Sequence, residues 1–158
     1  MTTTTSPVHE IQHGDLLVST DPARLDLDVI HGFLSQSYWA RGIPRRVVER
    51  SIAHSLCFGA YRDGRQVGFA RVISDRATYA YVADVFVLPS DRGRGVGKRL
   101  MAAMVAHPEL QGLRRWTLFT RDAHELYRQY GFGAARYPER LMERLDPVGD
   151  AGGAGATA

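Results

Sequence analysis

The sequence predicts an α/β fold whose first half is antiparallel, and three observations carry that prediction. Two strand-like runs, Leu56 to Tyr61 and Gln66 to Ile73, flank Asp63-Gly64, a hairpin signal. Thr78 to Leu88 is a long β-rich run, apolar on both faces, as a central strand requires. It ends at Pro89-Ser90-Asp91 and gives way to a glycine-rich turn. That turn opens a helical stripe of Val96, Leu100, Ala103, Met104 and His107, stopped by Pro108.

The other elements follow in order. Leu16-Leu17-Val18 reads as the first strand. Leu27, Ile30, Leu34 and Tyr38 recur at helical spacing, with Val29 and Phe33 widening the stripe. Gly42-Ile43-Pro44 interrupts, and Pro44 suits the first turn of a second helix with Val47, Val48 and Ile52 inward. Downstream, Trp116 to Thr120 is another strand. Asp122, with Glu125 as capping-box partner, starts a helix burying Ala123, Leu126, Tyr127 and Tyr130, and Gly131 ends it as a C′ residue. Phe132 to Leu145 is expected to close the fold as a strand or hairpin. The predicted order is β-α-α-β-β-β-α-β-α-β. It occupies one domain, residues 14–147, between a flexible tail over 1–13 and a disordered Gly/Ala tail over 148–158.

Composition sets limits on function. The chain has 158 residues, enough for one core, and no apolar run nears the roughly 20 residues of a membrane span. Met1 to Pro7 lacks the basic start and apolar centre of a signal peptide, so the expected location is cytoplasmic. The single cysteine, Cys57, rules out an internal disulfide, and His9, His13, His31, His54 and His107 show no ligand spacing, so no metal is expected. The formal net charge of +3 is too mild to argue for nucleic acid, and none is expected as a partner, nor a membrane. Charge is concentrated instead: Arg92, Arg94, Lys98 and Arg99 lie within eight residues. Such a run is either a solvated helix face or a docking site for a polyanion.

The segment from Val87 to Leu100 decides between the two. A strand runs into a glycine-rich turn that opens a helix, whose first-turn N–H groups and dipole favour an anion. Gly93, Gly95 and Gly97 let the backbone approach a phosphate, and the basic side chains surround the same point. A P-loop does not fit, because Arg92 stands where its first glycine belongs and Arg99 where its hydroxyl belongs. The dinucleotide fingerprint does not fit either, since the glycines fall G-x-G-x-G after a hairpin.

This segment resembles the acyl-CoA signature of the GNAT superfamily of N-acetyltransferases: Arg or Gln, two residues, Gly, one residue, Gly or Ala. Arg92, Gly95 and Gly97 match it, and Val87 matches the strand end before it. Downstream, Leu126-Tyr127, three residues, then Gly131-Phe132 match a second family element, and Ala123 matches the small residue four before the tyrosine. The resemblance covers about residues 14 to 145. Stretches such as SYWARGIP, SLCFGAY, VGFARVI and TRDAHELY further resemble a mostly uncharacterised group of small GNAT proteins. One departure is Thr120, where many members carry Asn.

The resemblance implies a mixed, mostly antiparallel central sheet flanked by helices, and acetyl transfer from acetyl-CoA to a primary amine in a ternary complex. It implies cofactor contacts along Phe86, Val87, Leu88, Arg92, Gly93, Arg94, Gly95, Val96, Gly97 and Lys98. The Val87 N–H is placed near the thioester oxygen, and Tyr127 faces the thiolate. Tyr127 also lies on the buried stripe of its helix, and a phenol can pack by its ring while presenting its hydroxyl. Asp84 is the only charged residue in the central strand. It is a base, an ammonium anchor, or a structural carboxylate satisfied by an Arg such as Arg71. Tyr81 is a further candidate base and is expected, with Tyr38, Trp39 and Arg41, among the acceptor-binding residues. The acceptor pocket is implied to involve the link between the first two helices, where Tyr38, Trp39 and Arg41 form either a recognition surface or a hydrophobic lid. The acceptor is expected to be a small-molecule amine or a peptide, and the protein a monomer or homodimer. The alternatives are an acyl-CoA-binding module, or a transferase using another acyl-CoA or a protein amine.

Overall fold

The computed structural model describes residues 6–146. Among them, six strands form one sheet in chain order: β1 (Glu10–His13), β2 (Leu16–Ser19), β3 (Leu56–Arg62), β4 (Arg65–Ser74), β5 (Tyr79–Val87) and β6 (Arg115–Leu118). Neighbours from β1 to β5 are antiparallel, and β5 pairs with β6 in parallel. Helices α1 (Leu27–Leu34) and α2 (Arg45–Ala53) pack on one face, against Cys57, Phe69 and Phe86. Helices α3 (Val96–Ala106) and α4 (His124–Arg128) pack on the other, where Leu100, Met101, Met104 and Tyr127 meet Phe58, Ala70, Val72 and Val82. The fold is the mixed α/β class that the sequence predicts.

Local chemistry explains the elements that came out as expected. Asp63 and Gly64 both take positive φ, 52° and 73°, so β3 and β4 close tightly with Arg62 opposite Arg65. Asp26 caps α1 by accepting from the Asp28 and Val29 N–H groups. The α3 stripe of Val96, Leu100, Ala103, Met104 and His107 is buried throughout. Gly131, at φ 89°, closes α4: its N–H donates to Arg128 O, and the Phe132 N–H to Tyr127 O.

The order differs from the prediction at both ends. Residues 10–13 form β1 instead of belonging to a tail; Ile11 is their single apolar side chain and is itself exposed, so no apolar alternation marks them. After α4 no strand forms among the described residues, only a 3₁₀ turn over Pro138–Arg140. The observed order is therefore β-β-α-α-β-β-β-α-β-α. The expected Gly/Ala tail lies outside the described residues.

Three smaller expectations are corrected. Helix α1 stops at Leu34, because the Ser37 hydroxyl donates to Leu34 O and accepts from the Ala40 N–H, bending the chain into a loop. Tyr38 consequently lies on that loop. Val47 is exposed on α2, and only Val48 of the expected trio is fully buried. Asp122 makes no cap on α4, whose N-cap residue is Ala123 with no side-chain cap; the Thr120 hydroxyl instead accepts from the Ala123 N–H at 3.0 Å in the turn before the helix.

Gly59 in β3 is the tightest backbone position. A Cβ there would overlap the phenol of Tyr61, which is itself buried. Gly59→Ala is expected to lower stability by about 1–3 kcal/mol through this overpacking, read as a lower urea midpoint. Tyr61→Phe would not fully relieve the overlap, because the ring carbons at 2.5 and 2.7 Å are also too close.

Candidate active site

The site begins where the sheet opens. β5 and β6 are in register from Tyr79 with Arg115 to Val82 with Leu118, and β5 then continues alone to Val87. The separation coincides with a bulge: Phe69 pairs with Phe86 but Arg71 with Ala83, leaving Asp84 and Val85 opposite Ala70. Asp84 takes φ 55°, a left-handed conformation that Asp tolerates better than most side chains. The extra residue flips the side-chain alternation, so Phe86 turns to the α1/α2 face and stacks on Phe33 at 4.1 Å.

Beyond the bulge the strand end has one free side. The Leu88 N–H donates to Val67 O at 2.8 Å, toward β4. Strand alternation therefore directs the Val87 N–H and C=O away from β4, into the gap left by β6. Val87 O accepts from Arg92 Nε at 3.1 Å, which folds the start of the basic loop back on the strand. Leu88 thus has no N–H to offer a ligand, Phe86 is committed to the core by its side chain, and Val87 is the strand-end donor.

The loop then meets α3. Gly95, at φ 79°, is the N-cap residue, and no side chain caps the helix. The Arg99 N–H is the first closed onto the turn, to Gly95 O at 3.1 Å. The N–H groups ahead of it form an uncapped, positively polarised end. A Cβ on Gly95 would meet nothing within 4 Å, so glycine is required there by φ, with open space around it. Gly97 lies closer to α4, with a Cβ position 3.5 Å from Leu126.

A buried network fixes this loop from below. Arg62 donates to Asp91 at 2.7 Å and to Asp15 at 3.0 Å. The Ser90 hydroxyl, then Arg62 and Arg94, hold the Asp91 carboxyl below the usual range. Arg94 reaches Asp91 at 3.5 Å and Asp15 at 3.9 Å, so it braces the loop. Lys98 and Arg99 are exposed, and neither forms an ion pair among the described residues. With Arg92, likewise exposed and in no ion pair among the described residues, they are the cations left available.

Opposite the loop, Tyr127 of α4 is buried, with its ring edge-on to Phe132 at 6.1 Å. Burial, with neighbouring Tyr38 and Asp122 adding to it, pushes its phenol up to about 12. It stays protonated at neutral pH and is a donor there. Tyr130 ties α4 to the basic helix by donating to Lys98 O at 2.8 Å.

The loop after α1 flanks the same opening. The Tyr38 ring lies under the Arg121 guanidinium at 3.8 Å and edge-on to Trp39 at 5.0 Å. Trp39 Nε1 donates to Asp84 Oδ1 at 3.0 Å, and Arg71 Nε to Asp84 Oδ2 at 2.9 Å. Arg71 also donates to Ser55. Tyr81 packs toward Phe119 at 6.1 Å. Arg41 is exposed and makes no hydrogen bond or ion pair to these residues.

Comparison with known proteins agrees with this arrangement. Residues 53–133 match the family described as "Acetyltransferase (GNAT) domain". The chain belongs to the GNAT acetyltransferase family. A crystal structure from Xanthomonas campestris pv. campestris, described as "a putative acetyltransferase belonging to the gnat family", superposes with a TM-score of 0.80 at 57% identity, covering 90% of this chain and 95% of that one. A protein of Gibberella zeae named "Putative acetyltransferase" is 35% identical over 137 residues, 72% of this chain and 76% of its own length. Serotonin N-acetyltransferase 2, chloroplastic, of Oryza sativa subsp. japonica is 34% identical over 115 residues, 67% of this chain and 56% of its own length.

Within this GNAT domain the two sequence elements meet in space. Gly97 and Leu126 bring the glycine loop and the Leu-Tyr element together, with Val87 also beside Gly97. Asp84 is held by Arg71, the partner named among its alternatives, and by Trp39. Three contributors had no sequence signal. Phe119 and Arg121 fall just past β6, and the Arg62–Asp91 pair joins residues whose proximity depends on the sheet. Among the described residues no helix is long and apolar enough to cross a membrane.

The Asp84 network makes a direct prediction. Asp84→Asn keeps an acceptor for Trp39 and tolerates the left-handed backbone, but removes the charge facing Arg71. Stability is expected to fall by about 1–3 kcal/mol, the usual cost of an unsatisfied buried group. Calorimetric melting checks it; an unchanged melting temperature would detach Asp84 from the fold and return it to the list of candidate bases.

Proposed function

We propose that this protein transfers the acetyl group of acetyl-CoA to a primary amine by direct transfer in a ternary complex. One observation carries the reading: the free side of β5 at Val87 opens beside the uncapped N-terminus of α3, with the Tyr127 phenol on the neighbouring helix. A helix N-terminus with an open glycine and three cations outside any ion pair, Arg92, Lys98 and Arg99, suits a pyrophosphate. A strand edge suits an amide-bearing arm, which can pair as a further strand would. When bound, acetyl-CoA supplies the acetyl group as an activated thioester.

The residues divide the work. The Val87 N–H holds the carbonyl oxygen, where negative charge grows as the amine attacks. Tyr127 Oη donates its proton to the departing sulfur as the C–S bond breaks and the C–N bond forms. The acceptor enters as the neutral amine, having lost its ammonium proton to solvent; the second proton, lost from nitrogen as the C–N bond forms, passes through water to the Tyr127 phenolate and restores the phenol. Asp84, with both oxygens engaged, acts as a positioning residue that orients Trp39 over the opening. Tyr38, Trp39, Tyr81 and Phe119 give the acceptor side an aromatic lining, which favours an amine carried on an apolar or aromatic body.

The test is release of free CoA thiol from acetyl-CoA in the presence of a panel of amines: arylalkylamines including serotonin, amino acids, aminoglycosides and peptides. Amine-dependent release supports transfer. Saturable acetyl-CoA binding without release from any amine would make the protein an acyl-CoA-binding module. Faster release from a longer acyl-CoA would change the donor while keeping the chemistry.

A further inference from the structure

The acceptor side of the opening carries charge that the transfer chemistry itself does not use. Arg121 lies three residues beyond the end of β6, and its guanidinium sits over the Tyr38 ring at 3.8 Å. Tyr38 meets Trp39 edge-on, and Trp39 donates to Asp84. Phe119, two residues before Arg121, packs toward Tyr81. The segment after β6 therefore turns both Phe119 and Arg121 toward the aromatic lining.

Arg121 is held there without being used up. Stacking on a ring restricts a guanidinium and takes none of its N–H groups. Its side chain makes no hydrogen bond among the described residues, and the carboxylate within reach is that of Asp122, at 4.0 Å. The two side chains are 64% and 69% exposed, so this contact contributes little. A guanidinium fixed over a ring with its donors unspent suits a carboxylate, which accepts two parallel N–H bonds.

Asp122 supplies the opposite charge beside it. Beyond burial, the groups that act on the Tyr127 phenol are Tyr38 and Asp122, so both stand near the proton donor of the reaction. Asp84 offers no such charge, because Trp39 and Arg71 occupy its two oxygens. The Asp122 carboxylate accepts no hydrogen bond among the described residues. A negative group near the reacting centre with a positive group next to it complements a molecule that carries an ammonium and a carboxylate side by side.

Resting on the transfer reading above, we propose that the acceptor is a free amino acid with an apolar or aromatic side chain, its carboxylate bound by Arg121 and its ammonium drawn in by Asp122 before it loses its proton. Both charges of such a molecule are borne on one carbon, as those of Arg121 and Asp122 are borne on neighbouring residues. Its side chain lies against Tyr38, Trp39, Tyr81 and Phe119. A peptide N-terminus has an amide where the carboxylate would be, and an arylalkylamine has nothing there. Either one leaves Arg121 without its ion, and discrimination follows from that difference.

Matched pairs that differ only in the carboxylate test this: L-tryptophan with tryptamine, L-phenylalanine with phenethylamine, and L-leucine with isoamylamine. Release of CoA thiol gives kcat/KM for each. Wild-type protein is expected to favour the amino acid in at least one pair, and Arg121→Gln to cut that preference about 10–100-fold, the worth of a charge-assisted hydrogen bond. Arg121→Lys should restore only part of it, since a point charge neither stacks nor bonds in parallel. Asp122→Asn is expected to raise the KM for the same amino acid about 3–5-fold, as for an exposed ion pair. Calorimetry with indole-3-propionate, which has the carboxylate and no amine, needs no turnover; it is expected to bind the wild type and not Arg121→Gln. Preference for the decarboxylated amines, a preference that survives Arg121→Gln, or one lost in Arg41→Gln instead would overturn the proposal. So would an unchanged KM in Asp122→Asn, or a fall in acetyl-CoA affinity in Arg121→Gln, which would put Arg121 on the cosubstrate. Thiol release from no amine at all, with indole-3-propionate still bound through Arg121, would overturn the transfer reading and keep the carboxylate site. No release and no binding would overturn both.

Discussion

Gly95→Asp is expected to abolish acetyl-CoA binding while leaving the protein folded. Gly95 caps α3 at φ 79° with open space where a Cβ would be, so the new side chain has room. The left-handed backbone costs an Asp about 1 kcal/mol. Against this, a carboxylate at a helix N-terminus is electrostatically favourable by a similar amount. The melting temperature should therefore move little. The same carboxylate competes for the N–H groups of α3 and repels a pyrophosphate, beside Lys98 and Arg99, which it partly neutralises. Affinity should fall by on the order of 10²-fold or more, corresponding to about 3 kcal/mol. Gly95→Ala introduces the Cβ and the backbone cost without the charge, and should weaken binding far less. Titration calorimetry of both variants separates charge from conformation. An unchanged affinity in folded Gly95→Asp would mean that the phosphates bind elsewhere.

Tyr127→Phe is expected to lower turnover by up to ~10²–10⁴-fold, the range over which a positioned general acid acts. The lower part of that range is the better expectation, because a thiolate of ordinary pKa near ~8.5 already leaves readily. The ring and its packing against Phe132 remain, so stability and acetyl-CoA affinity should change little. Tyr127→Ala also empties a core position and should cost about 3–5 kcal/mol, in the manner of other large aromatic truncations. The pH dependence gives a second handle. The phenol is pushed up to about 12, so it remains a donor through pH 7–9 and adds no alkaline limb there. Burial favours its neutral form. The stability this contributes is fully present below the ordinary tyrosine value near 10 and is lost as pH rises through about 12. Wild-type protein should lose melting temperature above pH 10 more steeply than Tyr127→Phe. Wild-type turnover in Tyr127→Phe, measured where chemistry limits the rate, would reduce Tyr127 to a packing residue.

Both experiments address residues that the sequence singled out, and the reason is physical. The glycine loop and the Leu-Tyr element are local. Gly95 and Gly131 are needed for backbone conformations set within a few residues, and α3 shows its buried stripe at a regular period. The Asp-Gly hairpin is equally local. These signals survive in one dimension because the forces behind them act between near neighbours in the chain.

What the tertiary structure decided lies where distant segments meet. The bulge at Asp84 exists only against β4, and it reverses which face Phe86 occupies. The partners of Asp84 come from two distant places, Trp39 in the loop after α1 and Arg71 in β4, so a carboxylate that could be a base became the anchor of a loop. Arg94 stands among phosphate-binding candidates in sequence, yet Asp15 and Asp91 turn it into a brace. β1 was hidden because a single apolar residue, Ile11, among Glu10, Gln12 and His13 makes no alternation, and backbone pairing leaves no imprint on side-chain choice. The strand expected after Phe132 has a sequence fit for a sheet, but whether it pairs depends on which edge it can reach, and reach is a property of the folded chain.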